Sequence, residues 1–307
     1  MVSSEVCPPV LVLAFNRPDT TERVLDALGL TRPSRVFLAV DGPRLDRTGE
    51  AERVAQVRDL VGRINWDCSV ETLFRDRNLG CKLAVSQAIS WFFSQVESGI
   101  ILEDDCVPHP SFFPYVAELL ERFRDDERVL MVSGDNFQRD RRTNYSYYFS
   151  LYTHIWGWAT WRRAWQLYDH DMTLWPELRD GNWLHDILGE RNAVDYWRRI
   201  FEDTYQNRNT SWAYRWMFCA WAQGALTVLP KVNLVTNIGF GDSATNTFDL
   251  DDSISGIGLV EMDFPLQHPH FVIRDARADA LTQRNVFCAP PRWRRLAGRA
   301  YRSILGR

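Results

Sequence analysis

Three consecutive carboxylates, Glu103-Asp104-Asp105, follow the run Gly99-Ile100-Ile101-Leu102 and precede Cys106-Val107-Pro108. A short apolar run bounded by glycine and prolines predicts a buried strand that stops at the acids. Three like charges at a strand end repel one another, so a cation is needed to offset them. Carboxylate oxygens are hard ligands and suit Mg²⁺ or Mn²⁺, shared with diphosphate oxygens. In open α/β sheets ligands bind outside the carboxyl ends of the strands, where this triplet falls. Taken alone, the triplet also reads as an acidic surface turn.

Other charged residues occupy matching places. Arg17 follows an apolar run at Val10–Phe15, Asp41 one at Val36–Val40, and Arg75 one at Val70–Phe74. Each run predicts a strand. Helical patterns separate them: Asp19 to about Leu28, Glu50–Ile64 with Val54, Val57, Leu60, Val61 and Ile64 on one face, and about Lys82–Phe93. Pro110 opens a helix to about Arg122, and Val129–Ser133 makes a fifth strand. This alternation implies one mostly parallel central sheet flanked by helices. The half contains no Gly-x-Gly-x-x-Gly and no Gly-Lys-Ser/Thr, so neither a dinucleotide fingerprint nor a phosphate-binding loop is present. A nucleotide would have to be held by the strand-end side chains.

Composition narrows the field. The chain has 307 residues, 45% apolar and 25% charged, as expected of a globular protein. A net charge of −4 gives no sign of nucleic-acid binding. The charge is uneven: residues 290–307 hold Arg292, Arg294, Arg295, Arg299, Arg302 and Arg307 and no acid. The six cysteines form no Cys-x-x-Cys pair, which predicts reduced, mostly buried thiols and a cytosolic setting. No leader pattern and no membrane-length apolar run is visible, so a cytoplasmic protein is expected. Thirteen tryptophans imply an aromatic core, and indoles also stack on sugar rings.

Beyond residue 135 the aromatics dominate. Irregular helices are predicted at 158–168 and 193–205, another at Trp212–Gln223, and short strands at Val228–Leu229 and Val232–Val235. A polar loop, Asn237-Ile238-Gly239-Phe240-Gly241-Asp242, follows. No linker separates the halves. The expectation is one domain over 1–289, with a nucleotide-sugar-binding half at 1–135, a Trp-rich elaborated half at 136–289, and a basic tail at 290–307.

With these elements in order, the chain resembles the GT-A glycosyltransferases, in particular the N-acetylglucosaminyltransferase I type and the bacterial glycosyltransferase family 2-like, or nucleotide-diphospho-sugar transferase, proteins. The resemblance rests on Phe15-Asn16-Arg17-Pro18, Asp41-Gly42, Arg77-Asn78-Leu79-Gly80-Cys81, Leu102-Glu103-Asp104-Asp105, Trp156-Gly157-Trp158 and Asn233 through Gly241. It implies a GT-A fold, a nucleotide-sugar donor (UDP-sugar favoured), Mn²⁺ or Mg²⁺, and a glycan or lipid-linked glycan acceptor in polysaccharide biosynthesis. Asp105 would bind the metal, Asp104 would lie near the ribose and Glu103 near the donor sugar. Asp41 would meet the base, with Arg17, Arg75, Lys82 and Trp212 around the donor. Gly239, Phe240 and Gly241 would belong to a closing loop, and Trp156 and Trp158 to the acceptor wall.

One position departs from the pattern. The resemblance places an aspartate, the base that takes the acceptor's proton, after Trp212, yet Ala213 stands there. Three readings follow: an inactivated variant, which the matching Trp212 and Tyr214 favour; a base elsewhere, with Asp135, Asp186 and Asp242 as candidates; or a non-catalytic sugar-binding relative. His268 or His270 would reach the metal, or serve only packing. Trp161 and Trp165, four apart, would pack one helix face. The tail would lie on an anionic inner-membrane surface or pack on the acidic body. A sugar-1-phosphate nucleotidyltransferase is the enzyme alternative, although Asn16-Arg17-Pro18 lacks the glycines such enzymes carry after the first strand.

Overall fold

Strands buried on both faces read as unbroken apolar runs, and the first half is built from them. A computed structural model describes residues 7–138, 143–239 and 257–287. Its first half runs β1 (Val10–Ala14), α1 (Pro18–Thr31), β2 (Arg35–Val40), α2 (Glu50–Asp59, continued by a 3-10 turn), β3 (Ser69–Phe74), α3 (Gly80–Gln95), β4 (Ser98–Glu103), β5 (Cys106–Pro108), α4 (Phe112–Arg122) and β6 (Val129–Ser133). Pro18 sits in the first turn of α1, where its missing N–H costs nothing. Thr21, Val24, Leu25 and Leu28 are the face that α1 buries, at helical spacing.

The second half follows with β7 (Tyr147–Ser150), β8 (Trp158–Trp161), α5 (Arg162–Trp165), α6 (Trp175–Asp180), α7 (Trp183–Leu188), α8 (Arg191–Tyr205), α9 (Trp212–Ala222), β9 (Leu226–Pro230), β10 (Val235–Asn237) and α10 (Ala276–Thr282). Eight strands form the central sheet in the order β3-β2-β1-β4-β8-β6-β9-β7. β1 is parallel to β2 and β4, β2 to β3, and β6 to β9. β8 runs antiparallel to β4 and β6, and β7 to β9. The architecture is α/β with a mostly parallel sheet, and both halves contribute strands to it.

The structure corrects the reading of 158–168. Trp158-Ala159-Thr160-Trp161 is a strand wedged between β4 and β6, and only Arg162–Trp165 is helical. Aromatic and β-branched side chains suit a buried strand, and pairing on both edges overrides the weak helical spacing. Trp161 therefore shares no helix face with Trp165: its indole donates to Leu120 O (3.0 Å), that of Trp165 to Ser90 Oγ (3.0 Å). Likewise β10 starts only at Val235, not Val232, because it pairs with β5 in a separate two-stranded ribbon.

Most of the tryptophan excess is core. Trp158, Trp175, Trp197, Trp212, Trp216 and Trp221 are fully enclosed, and Trp158 packs against Trp212 at 5.7 Å between ring centroids and Trp216 at 5.9 Å. The nearly all-apolar α9 lies buried on the sheet. Among the described residues Cys7, Cys68, Cys106 and Cys219 are free thiols, and no helix is long and apolar enough to cross a membrane. The basic tail at 290–307 lies outside the described residues.

Candidate functional site

The ends of β1, β2, β3 and β4 open into one cavity of about 750 Å³. Asn16 and Arg17 line it after β1, Asp41 after β2, Arg75 after β3, and Glu103, Asp104 and Asp105 after β4. The second half closes it with Thr153–Trp156, the start of α9 at Trp212–Tyr214, and Asn237. From β3 to β8 the sheet crosses four strand spacings, about 19 Å.

At the β2 end, Asp41 is held by a dense set of donors. Its carboxylate accepts from Gly42 N (2.9 Å), Asn78 Nδ2 (3.0 Å), Leu79 N (3.1 Å) and Gly80 N (3.1 Å). Leu79 and Gly80 begin α3, so the acid also meets that helix's positive end. The approach depends on Gly42, where a Cβ would lie 2.3 Å from the Arg77 carbonyl carbon. Burial raises the Asp41 pKa against these backbone hydrogen bonds. Nearby, Arg44 holds the buried Glu50 down to about 2, and Asn16 adds a hydrogen bond at 2.9 Å, bracing the loop after β2.

The triplet's charge is offset by Arg17, which pairs with Asp104 and, at 2.8 Å, with Asp105 Oδ2. Burial works against the guanidinium's charge, but the two carboxylates outweigh it and raise its pKa. Burial pushes Asp104 up to about 6 even with Arg17 beside it. Burial, reinforced by Asp105 and Asp104, pushes Glu103 up to about 8, opposed by Arg17 and a hydrogen bond from Trp212. That bond ties the end of β4 to the first turn of α9. Asp105 Oδ1 accepts from Asn237 Nδ2 (3.2 Å), and Ile238 N donates to Asp105 O (2.8 Å), fastening the chain after β10 onto the triplet. Gly239 lies so close that a Cβ would meet Asp105 Oδ2 at 2.1 Å.

Facing this charged edge, Ala213 and Trp212 line the cavity from α9, and Trp156 from the approach to β8. Asp135 is fully buried; its Oδ2 accepts from Trp156 N (2.8 Å), and burial raises its pKa well above the carboxylate range. It holds the wall from behind rather than lining the cavity, unlike the free base expected of it.

Other expected residues sit elsewhere. Lys82 does not line the cavity: its ammonium donates to Asn207 Oδ1 at 2.7 Å. Trp158 is core, because its position in β8 turns it onto Trp212 and Trp216 rather than toward an acceptor. His268 lies between Glu118 (2.8 Å) and the Tyr147 hydroxyl (3.0 Å), away from the triplet, and the exposed His270 does not line the cavity. Asp186 is exposed on α7. Phe240, Gly241 and Asp242 lie outside the described residues.

The triplet's donor set suits a hard divalent cation, since Asp104 and Asp105 offer only carboxylate oxygens. Two acids are too few to complete a shell, and among the described residues no group of three or more His, Cys, Asp or Glu could hold a metal. A cation on Asp105 would therefore need oxygens from a bound diphosphate, and it would compete with Arg17 for Oδ2.

No family model and no curated protein matches the chain. Among solved structures it is similar to HddC from Yersinia pseudotuberculosis, with 11% identity over 51% of this chain and 77% of that one, at a TM-score of 0.32. A cytidylyltransferase from Leptospira borgpetersenii overlaps 52% of this chain and 61% of its own at 10% identity and a TM-score of 0.31. The 4-diphosphocytidyl-2C-methyl-D-erythritol synthase of Anaerococcus prevotii overlaps 57% of this chain and 78% of its own, at 10% identity and 0.30. At such scores these are partial overlaps that say nothing of the chain's chemistry.

Proposed function

We propose that the chain takes a nucleotide-diphosphate sugar, by preference a UDP-sugar, as an inverting glycosyltransferase acting on a glycan or lipid-linked glycan. The observation that carries this reading is the single cavity across the strand ends, with the Arg17–Asp104–Asp105 cluster midway and the start of α9 opposite. The nucleoside would lie toward Asp41 and Arg75 and the diphosphate at Arg17 and Asp105. Arg17 would orient the phosphates, and Trp212, held by Glu103, would shield the bond being broken from water. A Mn²⁺ or Mg²⁺ held by Asp105 and the diphosphate would stabilise the leaving group's charge.

Ala213 favours a second reading, a sugar-binding relative without turnover, because the first turn of α9 presents Trp212, Ala213 and Tyr214 to the cavity and none of them is a carboxylate. Restoring a base decides between them. Ala213→Asp is expected to raise sugar transfer at least a hundredfold, the scale of general-base catalysis. No gain, with donor still bound and no transfer by the unaltered chain, would assign a binding protein. Calorimetry with UDP, GDP and CMP and their sugar conjugates, with and without Mn²⁺, tests the donor. Tight binding only when nucleotide and Mn²⁺ are present together is expected. Pyrophosphate release from a nucleoside triphosphate and a sugar 1-phosphate would instead assign nucleotidyl transfer.

A further inference from the structure

Buried polar atoms almost always have hydrogen-bond partners, so a group of them without any needs a reason. Thr153 Oγ1 and both ring nitrogens of His154 are such a group. The two residues are only 5% and 3% exposed, yet both line the cavity. The imidazole stacks on Phe137, with centroids 4.4 Å apart and planes at 23°, and Phe137 stands edge-on to Trp156. Trp156 is pinned by the Asp135 carboxylate through its backbone N–H. The unpaired groups thus sit in a wall braced from behind, and the imidazole ring is held in place.

Strand register places this wall. Trp158 pairs with Ile101, so the residues just before β8 run beside the end of β4, where the acidic triplet begins. Along the sheet order, Asp41 and Arg75 lie on one side of the Arg17 cluster and Thr153–His154 on the other. A ligand whose phosphates sit at Arg17 and whose nucleoside points to β3 would lay its remaining part against Thr153 and His154. We infer that Thr153 and His154 are a hydroxyl-recognition subsite for the sugar of the donor, an inference that rests on the nucleotide-sugar reading above.

The chemistry matches. Burial without a partner pushes His154 down to about 3, so the ring is neutral and offers one donor and one acceptor. The threonine hydroxyl offers both as well. A sugar hydroxyl, both a donor and an acceptor, can pair with the threonine hydroxyl and with one ring nitrogen, while the other nitrogen, on the diverging edge of the ring, needs a separate partner. A site built to hydrogen-bond hydroxyls also rejects ligands that lack them, because its buried groups then stay unpaired.

His154→Phe tests this, since it keeps the stack on Phe137 and removes only the nitrogens. Calorimetry would compare UDP with UDP-glucose, UDP-galactose and UDP-N-acetylglucosamine, and GDP with GDP-mannose, alongside thermal unfolding. The inference expects the preferred conjugate to bind at least tenfold more weakly to the variant. The bare nucleotide should change less than twofold and the melting temperature should hold or rise. Conjugate affinity that is unchanged, or that falls in step with the nucleotide's, would overturn it. Thr153→Val and His154→Gln give the same readout should the phenylalanine variant fail to fold. If the wild type binds no nucleotide, the donor reading fails separately. Saturation-transfer NMR with free glucose, galactose and N-acetylglucosamine then decides the subsite: a signal lost in His154→Phe upholds it, and an absent or unchanged signal overturns it.

Discussion

Along the edge built by β1–β4, Asp41 accepts four hydrogen bonds and Asp104 and Asp105 share Arg17. Along the wall before β8, Thr153 Oγ1 and both His154 nitrogens have no partner. Both regions bury polar groups, and both line one cavity. In the first the groups are satisfied within the protein, so the geometry is set before any ligand arrives. In the second, desolvation is left uncompensated, and only a ligand or water would recover it. Stability should therefore respond in opposite directions when polar groups are removed from the two walls.

The largest effect is expected at Arg17. Arg17→Ala leaves two carboxylates enclosed without a counter-charge, and unfolding in urea should show a loss of about 3 kcal/mol. A loss below about 1 kcal/mol, the range of exposed pairs, would mean that solvent screens the cluster and that the contrast between the walls is false.

Glu103 sharpens the comparison through pH. Its pKa is raised from an ordinary 4.5 to about 8, so the folded chain holds its proton where the unfolded chain does not. The associated stability is full below about pH 4.5 and is lost as pH rises through 8. Glu103→Gln, unfolded in the presence of a chelator, should match the wild type at pH 4.5. At pH 8.5 it should exceed it by about 1–2 kcal/mol, allowing for the solvent that reaches this half-buried group. Parallel pH curves would remove Glu103 from the cluster's balance.

The smallest effect belongs to the unpaired wall. Thr153→Val replaces an enclosed hydroxyl with a methyl of nearly the same shape, and a gain of up to about 1 kcal/mol is expected from chemical denaturation. A loss would show that the hydroxyl is already satisfied in the free protein.

Much of this site was legible in the chain. Arg17, Asp41, Arg75 and the triplet end apolar runs, and a parallel sheet brings such ends to one edge because successive crossovers return the chain in the same direction. Thr153 and His154 carried no comparable signal. They stand in an irregular stretch, and their meaning depends on what fails to approach them. Asn237 and Asn78 were visible within motifs, but their bonds to Asp105 and Asp41 needed the ribbon of β5 with β10 and the close contact at Gly42.

Lys82, Trp158 and His268 mark the boundary from the other side, since residue type and nearness to a motif suggested roles that their orientations do not allow. Local pattern determined the central-sheet strands of the first half (β1–β4 and β6, but not the short β5), the helices α8 and α9, and which charges end the strands, because burial on a regular element imposes a period on the sequence. Tertiary structure alone decided that β8 inserts beside β4, which aromatic rings are core, and which buried polar atoms go unpaired. Those outcomes depend on contacts between segments far apart in the chain, and no local period records them.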